Sequence, residues 1–147
     1  MKNWIVDTNI ISEQNKRKPN PHVLDWLNQT LITTLFTTTV SVAEIRYGII
    51  AQSDIARANI LETWLEQTVR PSFSNRVLGV DENVLLQWRL ISRKLQQARQ
   101  PTPPTDLLIA AIAIENACGV ATRDVAPFVA CGIPTLNPFT GERFNGA

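Results

Sequence analysis

The sequence has little histidine and little cysteine. His22 is its one histidine, and Cys118 and Cys131 are its two cysteines, in 147 residues. His22 stands beside Pro21 and reads as a surface residue. Histidine-built metal sites and Ser-His-Asp chemistry therefore lack their parts. The cysteines are far apart with no histidine near them. They read as small buried thiols of a reducing cytosol, not as a zinc pair or a disulfide. No glycine-rich loop ending in Gly-Lys is present to cradle phosphates. No apolar stretch nears the roughly 20 residues of a membrane span. The first apolar run breaks at Asp7, too early for a signal peptide. The net charge of +1 is too small to coat nucleic acid by bulk charge. It leaves room for a basic rim around an acidic site. Together these absences point to a cytoplasmic protein with no membrane role.

What remains is a globular composition, 44% apolar and 18% charged, that fits a single domain over residues 1–147. A domain of this size buries roughly 70% of its unfolded surface, enough to do without staples. Residues 2–6 form a first strand that ends abruptly in Asp7, Thr8 and Asn9. A basic, proline-bearing loop, 16–21, leads to a helix capped by Asn20 with Pro21 in its first turn. Thr34–Val40, β-branched and aromatic, reads as a second strand, and Ser41 as the cap of the next helix. Another helix runs from Asp54 to Val69, ending at Pro71. It carries more apolar positions than one stripe, so Trp64 and Leu65 are expected at or near a homodimer interface. Arg76–Val80 is a third strand, followed by a long helix capped by Asp81.

The loop 100–105 carries three prolines and is expected to be non-helical. The alanine-rich run Leu107–Ile114 then reads as a helix buried all round, ended by Gly119. Residues 120–122 make a fourth strand. Residues 133–136 make a fifth at the sheet edge, where Pro134 fits. This alternation gives an α/β fold: a five-stranded, mainly parallel sheet with helices on both faces, an α/β/α sandwich.

Four carboxylates, Asp7, Glu44, Asp106 and Asp124, each permit two readings. Asp7 and Asp124 follow strands and could be plain helix caps. Ser41 and Glu44 match a capping box, and Asp106 sits in a first turn where the helix dipole favours negative charge. In a parallel sheet, however, strand C-termini and helix N-termini share one edge. The same positions thus gather the acids. Carboxylates so gathered repel unless a cation sits among them, and an oxygen-only set selects Mg²⁺ or Mn²⁺. Such ions support phosphodiester hydrolysis. Thr8 and Asn9 are candidates to orient Asp7. Arg123 and Arg46 are candidates to contact RNA phosphate, with a solvated surface as the alternative for Arg46.

Four pieces carry a resemblance: Val6-Asp7-Thr8-Asn9 through Glu13, Val42 to Gly48 around Glu44, Thr105-Asp106 to Ala111, and Ala121 to Asp124. In this order and spacing the chain resembles the PIN-domain family, and within it the VapC-type and FitB-like toxins of bacterial toxin–antitoxin pairs. The resemblance implies a metal-dependent endoribonuclease and a homodimer. It also implies an antitoxin partner that occupies the active-site groove, with DNA reached only through that antitoxin. Many relatives carry a further acid three residues after Asp124, where this chain has Pro127.

Three other functions compete. A catalytically silent PIN-like module would bind a partner or DNA alone, but all four acids are present. A receiver-like Mg²⁺ switch wants adjacent acids at the first strand and a lysine after the last. Asp7 stands alone there, and residues 134–137 carry no lysine. An aspartyl phosphatase usually wants Asp-x-Asp, and position 9 is Asn.

Overall fold

The computed structural model describes residues 2–147. Its centre is β1 (Trp4–Val6), fully buried and flanked by β2 (Leu35–Thr38) and β4 (Gly119–Ala121), both parallel to it. Beyond β2 lies β3 (Val77–Leu78). Beyond β4 lie β5 (Thr135–Leu136) and β6 (Arg143–Phe144), giving the order β3-β2-β1-β4-β5-β6. The sheet thus has six strands rather than five, because the C-terminal tail returns antiparallel against β5. Thr135–Leu136 is therefore not an edge, and Pro134 lies just before the strand.

Helices cover both faces. They are α1 (Thr8–Glu13), α2 (Pro21–Gln29), α3 (Thr39–Ala51), α4 (Ile55–Trp64), α5 (Arg70–Ser72), α6 (Glu82–Gln97), α7 (Pro104–Glu115) and α8 (Ala126–Ala130). Alternation along β1 sends its side chains to opposite faces. Ile5 joins the core with α6 and α7, while Trp4 and Val6 join the core with α1 to α4. The caps at Asn20 and Asp81 form as expected, accepting from the His22 and Val84 amides.

Several boundaries move for physical reasons. Strand β2 stops at Thr38, because the Thr38 hydroxyl caps α3 by accepting from the Ser41 amide. Helix α7 starts at Pro104 rather than after Thr105, since proline suits a first helical position. It ends at Glu115, and Gly119 lies in β4 instead of closing the helix. A Cβ on Gly119 would stand 2.7 Å from Trp4 Cζ3, so glycine there admits the indole. Helix α4 gives way to a π-helical turn, Leu65–Val69, and the helical path continues into α5 across Pro71. Leu65, the first residue of this turn, is fully buried in the chain's own core. Leu65 is thus unavailable to a partner, and Trp64 is half-buried against the same core. Exposed apolar side chains on this side are Tyr47, Ile50, Ile55 and Ile60. Cys118 and Cys131 are both unpaired thiols. Among the described residues no helix is long and apolar enough to cross a membrane.

Candidate active site

Strands β1, β2 and β4 run parallel, so their C-terminal ends share one edge. Asp7 follows β1 there, and Thr122 to Asp124 follow β4. Glu44 lies in the second turn of α3, which leaves β2. Helix α7 feeds into parallel β4 and so runs the other way, which brings its first turn, with Asp106, to the same edge.

Asp7 is 6% exposed, and each of its carboxylate oxygens accepts a hydrogen bond. Its Oδ1 accepts from the Thr8 amide at 2.8 Å, capping α1. Its Oδ2 accepts from the Thr122 hydroxyl at 2.8 Å. Burial raises its carboxyl above the ordinary range, against those two hydrogen bonds, and the Asp124 charge adds to the rise. Glu44 accepts from the Thr8 hydroxyl at 3.1 Å. Its carboxyl too is raised, chiefly by burial and further by Asp7. Asp106 makes no side-chain cap bond. It is pushed up to about 6 by burial and by the charges of Asp7, Glu44 and Asp124.

The helix-cap readings separate accordingly. Asp7 does cap its helix. The Ser41–Glu44 capping box does not form, because Thr38 takes that role and Glu44 turns to Thr8. Asp124 caps nothing: α8 begins at Ala126 after Val125, with no side-chain cap.

Asn9 binds the edge together. Its amide nitrogen donates to Thr122 Oγ1 at 3.2 Å and to Asp124 Oδ2 at 3.4 Å. Its amide oxygen accepts from the Arg123 backbone at 3.1 Å. Thr122, fully buried, is the residue that motif reading passed over. Its single hydroxyl donates to Asp7 and accepts from Asn9 and from the Asp124 amide. Its position directly after a buried strand is the signal that could have found it.

A PIN domain model matches residues 4–129. The chain belongs to the PIN domain family. It is 40% identical over 92% of its length to the plasmid stability protein StbB of Pseudomonas syringae pv. tomato, covering 97% of that protein. It is 34% identical over 92% of its length to the VapC ribonuclease Y4jK of Sinorhizobium fredii, covering 96% of that protein. It is 32% identical over 92% of its length to toxin FitB of Neisseria gonorrhoeae, covering 97% of that protein. The crystal structure of FitAcB from Neisseria gonorrhoeae superposes with a TM-score of 0.88 at 32% identity, covering 92% of this chain and 98% of that one.

In this PIN domain Asp106 lies within electrostatic reach of Asp7, Glu44 and Asp124. Among the described residues, no three acids, cysteines or histidines close into a ready-made metal cage. Arg123 is exposed beside the cluster, its guanidinium 5.1 Å from the Phe139 ring centre. Arg46 is not brought in. It follows Glu44 by two residues, about 200° around the helix, and is exposed on the far side of α3. Pro127 lies in the first turn of α8 and offers no donor.

Proposed function

We propose that this PIN domain is a metal-dependent endoribonuclease and the toxin of a toxin–antitoxin pair, held in check by a cognate antitoxin. The observation that carries the metal reading is the gathering of Asp7, Glu44, Asp106 and Asp124 at one edge of the sheet. Burial first, and then the charges of the other three, push the Asp106 carboxyl up to about 6, and a divalent cation would relieve that crowding. The donors are all oxygen, which suits Mg²⁺ or Mn²⁺. The names of two relatives, a VapC ribonuclease and toxin FitB, support RNA as substrate and the toxin role. The FitAcB structure from Neisseria gonorrhoeae and the structure of FitAB bound to a DNA fragment support an antitoxin partner, with DNA reached through it. A cytoplasmic site of action belongs to the same reading, and so does a homodimer. For the dimer, Ile55 and Ile60 offer exposed surface where Leu65 does not.

Asp7, Glu44, Asp106 and Asp124 would hold the ions. A divalent ion held there would activate water and neutralise charge on the phosphate. The chain's own part is orientation. Thr122 and the Thr8 amide fix both oxygens of Asp7, Thr8 turns Glu44 inward, and Asn9 ties Asp124 to the β1 end. Burial and the three neighbouring carboxylates push the Asp106 carboxyl up to about 6, a shift that a cation held among them would reverse. Arg123 stands ready to contact the RNA backbone. Asp124 acts without a second acid at position 127.

Incubation with transfer and ribosomal RNAs tests the reading. Cleavage that requires Mg²⁺ or Mn²⁺ and stops with chelator supports it; cleavage undiminished in excess chelator refutes the metal role.

A further inference from the structure

A groove of about 370 Å³ opens between α1, α3 and α4, beside the acid cluster. Thr8 and Glu44 form part of its wall, so it adjoins the carboxylates directly. Ile45, Ile49, Leu61 and Trp64 give it apolar surface, and Lys16 and Arg57 add positive charge. Gly48 lines it too. This glycine lies inside α3, where glycine is the poorest choice short of proline. A Cβ built on it meets nothing within 4 Å. Gly119 is required by the Trp4 ring; no neighbour in the chain requires Gly48. A bare stretch of helix facing an open groove suits the close approach of something outside the chain.

We propose that this groove receives one unpaired nucleobase of the RNA, adjacent to the phosphodiester held at the acids. The inference rests on the ribonuclease reading above. The volume falls in the range of small-ligand pockets, roughly 300–1,000 Å³. The chemistry of the walls divides as a nucleotide does. The apolar side and the Trp64 indole take a flat base, which proteins hold by stacking once it is unpaired. The cations take the neighbouring phosphate. Lys16 Nζ is held 2.8 Å from Glu13 Oε1, so exposed Arg57 is the better placed of the two.

The test uses a short single-stranded oligoribonucleotide that contains a cleavage site. Copies carry an abasic residue at each position in turn. Binding is read by fluorescence anisotropy with Ca²⁺ in place of Mg²⁺, and cleavage is read with Mg²⁺. In wild type, one abasic position beside the cleaved bond lowers both by roughly tenfold or more, and other positions do not. Gly48→Leu fills the groove; it loses a similar factor on the intact strand and nothing further on that abasic strand. Gly48→Ala melts at or above wild type, and Gly48→Leu keeps the wild-type Mg²⁺ shift in melting. Should Gly48→Leu fold poorly, the abasic series on wild type decides alone. Wild type that cleaves every abasic strand alike overturns the groove assignment, leaves the ribonuclease reading standing, and returns the groove to a polypeptide partner. Wild type that neither binds nor cleaves any RNA overturns both.

Discussion

The Thr122 hydroxyl reaches across from the end of β4 and donates to Asp7 Oδ2 at the end of β1, 2.8 Å away. Both residues are buried, and the bond is charge-assisted. Thr122→Val keeps the shape and removes the donor. We expect a loss of about 1.5–3 kcal/mol in stability and roughly 10–100-fold in RNA cleavage. Thr122→Ser should recover most of both. Denaturant melts beside cleavage assays check this. Full activity in Thr122→Val would mean that Asp7 needs no such support.

Glu44 and Thr38 separate capping from chemistry. Thr38 caps α3, so Thr38→Ala should cost about 1 kcal/mol. Glu44 caps nothing and carries one of the crowded charges, so in chelator Glu44→Gln should be at least as stable as wild type. Its cleavage should nonetheless fall by more than the roughly 10–100-fold typical of an outer hydrogen bond. Equal activity of Glu44→Gln and wild type would remove Glu44 from the site.

Much of this site was legible in the sequence, because strand ends and helix starts are where a parallel sheet exposes its groups. Asp7 at the end of an apolar run is the plainest case. Four features escaped for physical reasons. Thr37, Thr38 and Thr39 all favour strand by β-branching, yet a hydroxyl's ability to cap ended β2 at Thr38. The helix from Asp54 carries more apolar positions than one stripe, so pattern alone does not say which of them face the core; Leu65, expected at or near a dimer interface, is buried in the chain's own core. The two residues of β6 are too few to carry a strand signal, and the sixth strand is set by tertiary pairing. Thr122 lies within the Ala121 to Asp124 stretch, yet its role is not legible there, because that role comes from partners distant in sequence.

Gly119 gives a packing test. Gly119→Ala would press a methyl against the Trp4 ring at 2.7 Å and the Pro134 carbonyl at 3.0 Å. Neither can move cheaply at the centre of the sheet, and overpacking of this kind costs about 1–3 kcal/mol. Thermal unfolding measures it. A variant as stable as wild type would show that Trp4 has room to turn.

The pH dependence follows from the same acids. Asp106 titrates at about 6 in the fold against an ordinary 3.8. A raised carboxyl favours the folded state when protonated. That contribution is full below about pH 3.8 and is lost as pH rises through about 6. Asp7 and Glu44 shift in the same direction. In chelator, wild type should therefore melt higher at pH 5 than at pH 7, and Asp106→Asn should flatten that rise. Glu13 works oppositely. Lys16 holds its carboxyl below the ordinary 4.5, so its contribution is present above that value and is lost as pH falls through the lowered one. Melting curves in chelator, taken from pH 8 to well below pH 4.5, read both effects.

The central claim is that the four carboxylates form one divalent-metal site. Melting of wild type and Asp106→Asn at pH 7, each in chelator and in saturating Mg²⁺, tests it most directly. In chelator the variant should melt above wild type, since one repelling charge is gone. In Mg²⁺ wild type should gain stability by ligand linkage and close or reverse that gap, while the variant gains little. Identical melting of both proteins in both buffers would contradict the account and leave four acids that share an edge without sharing an ion.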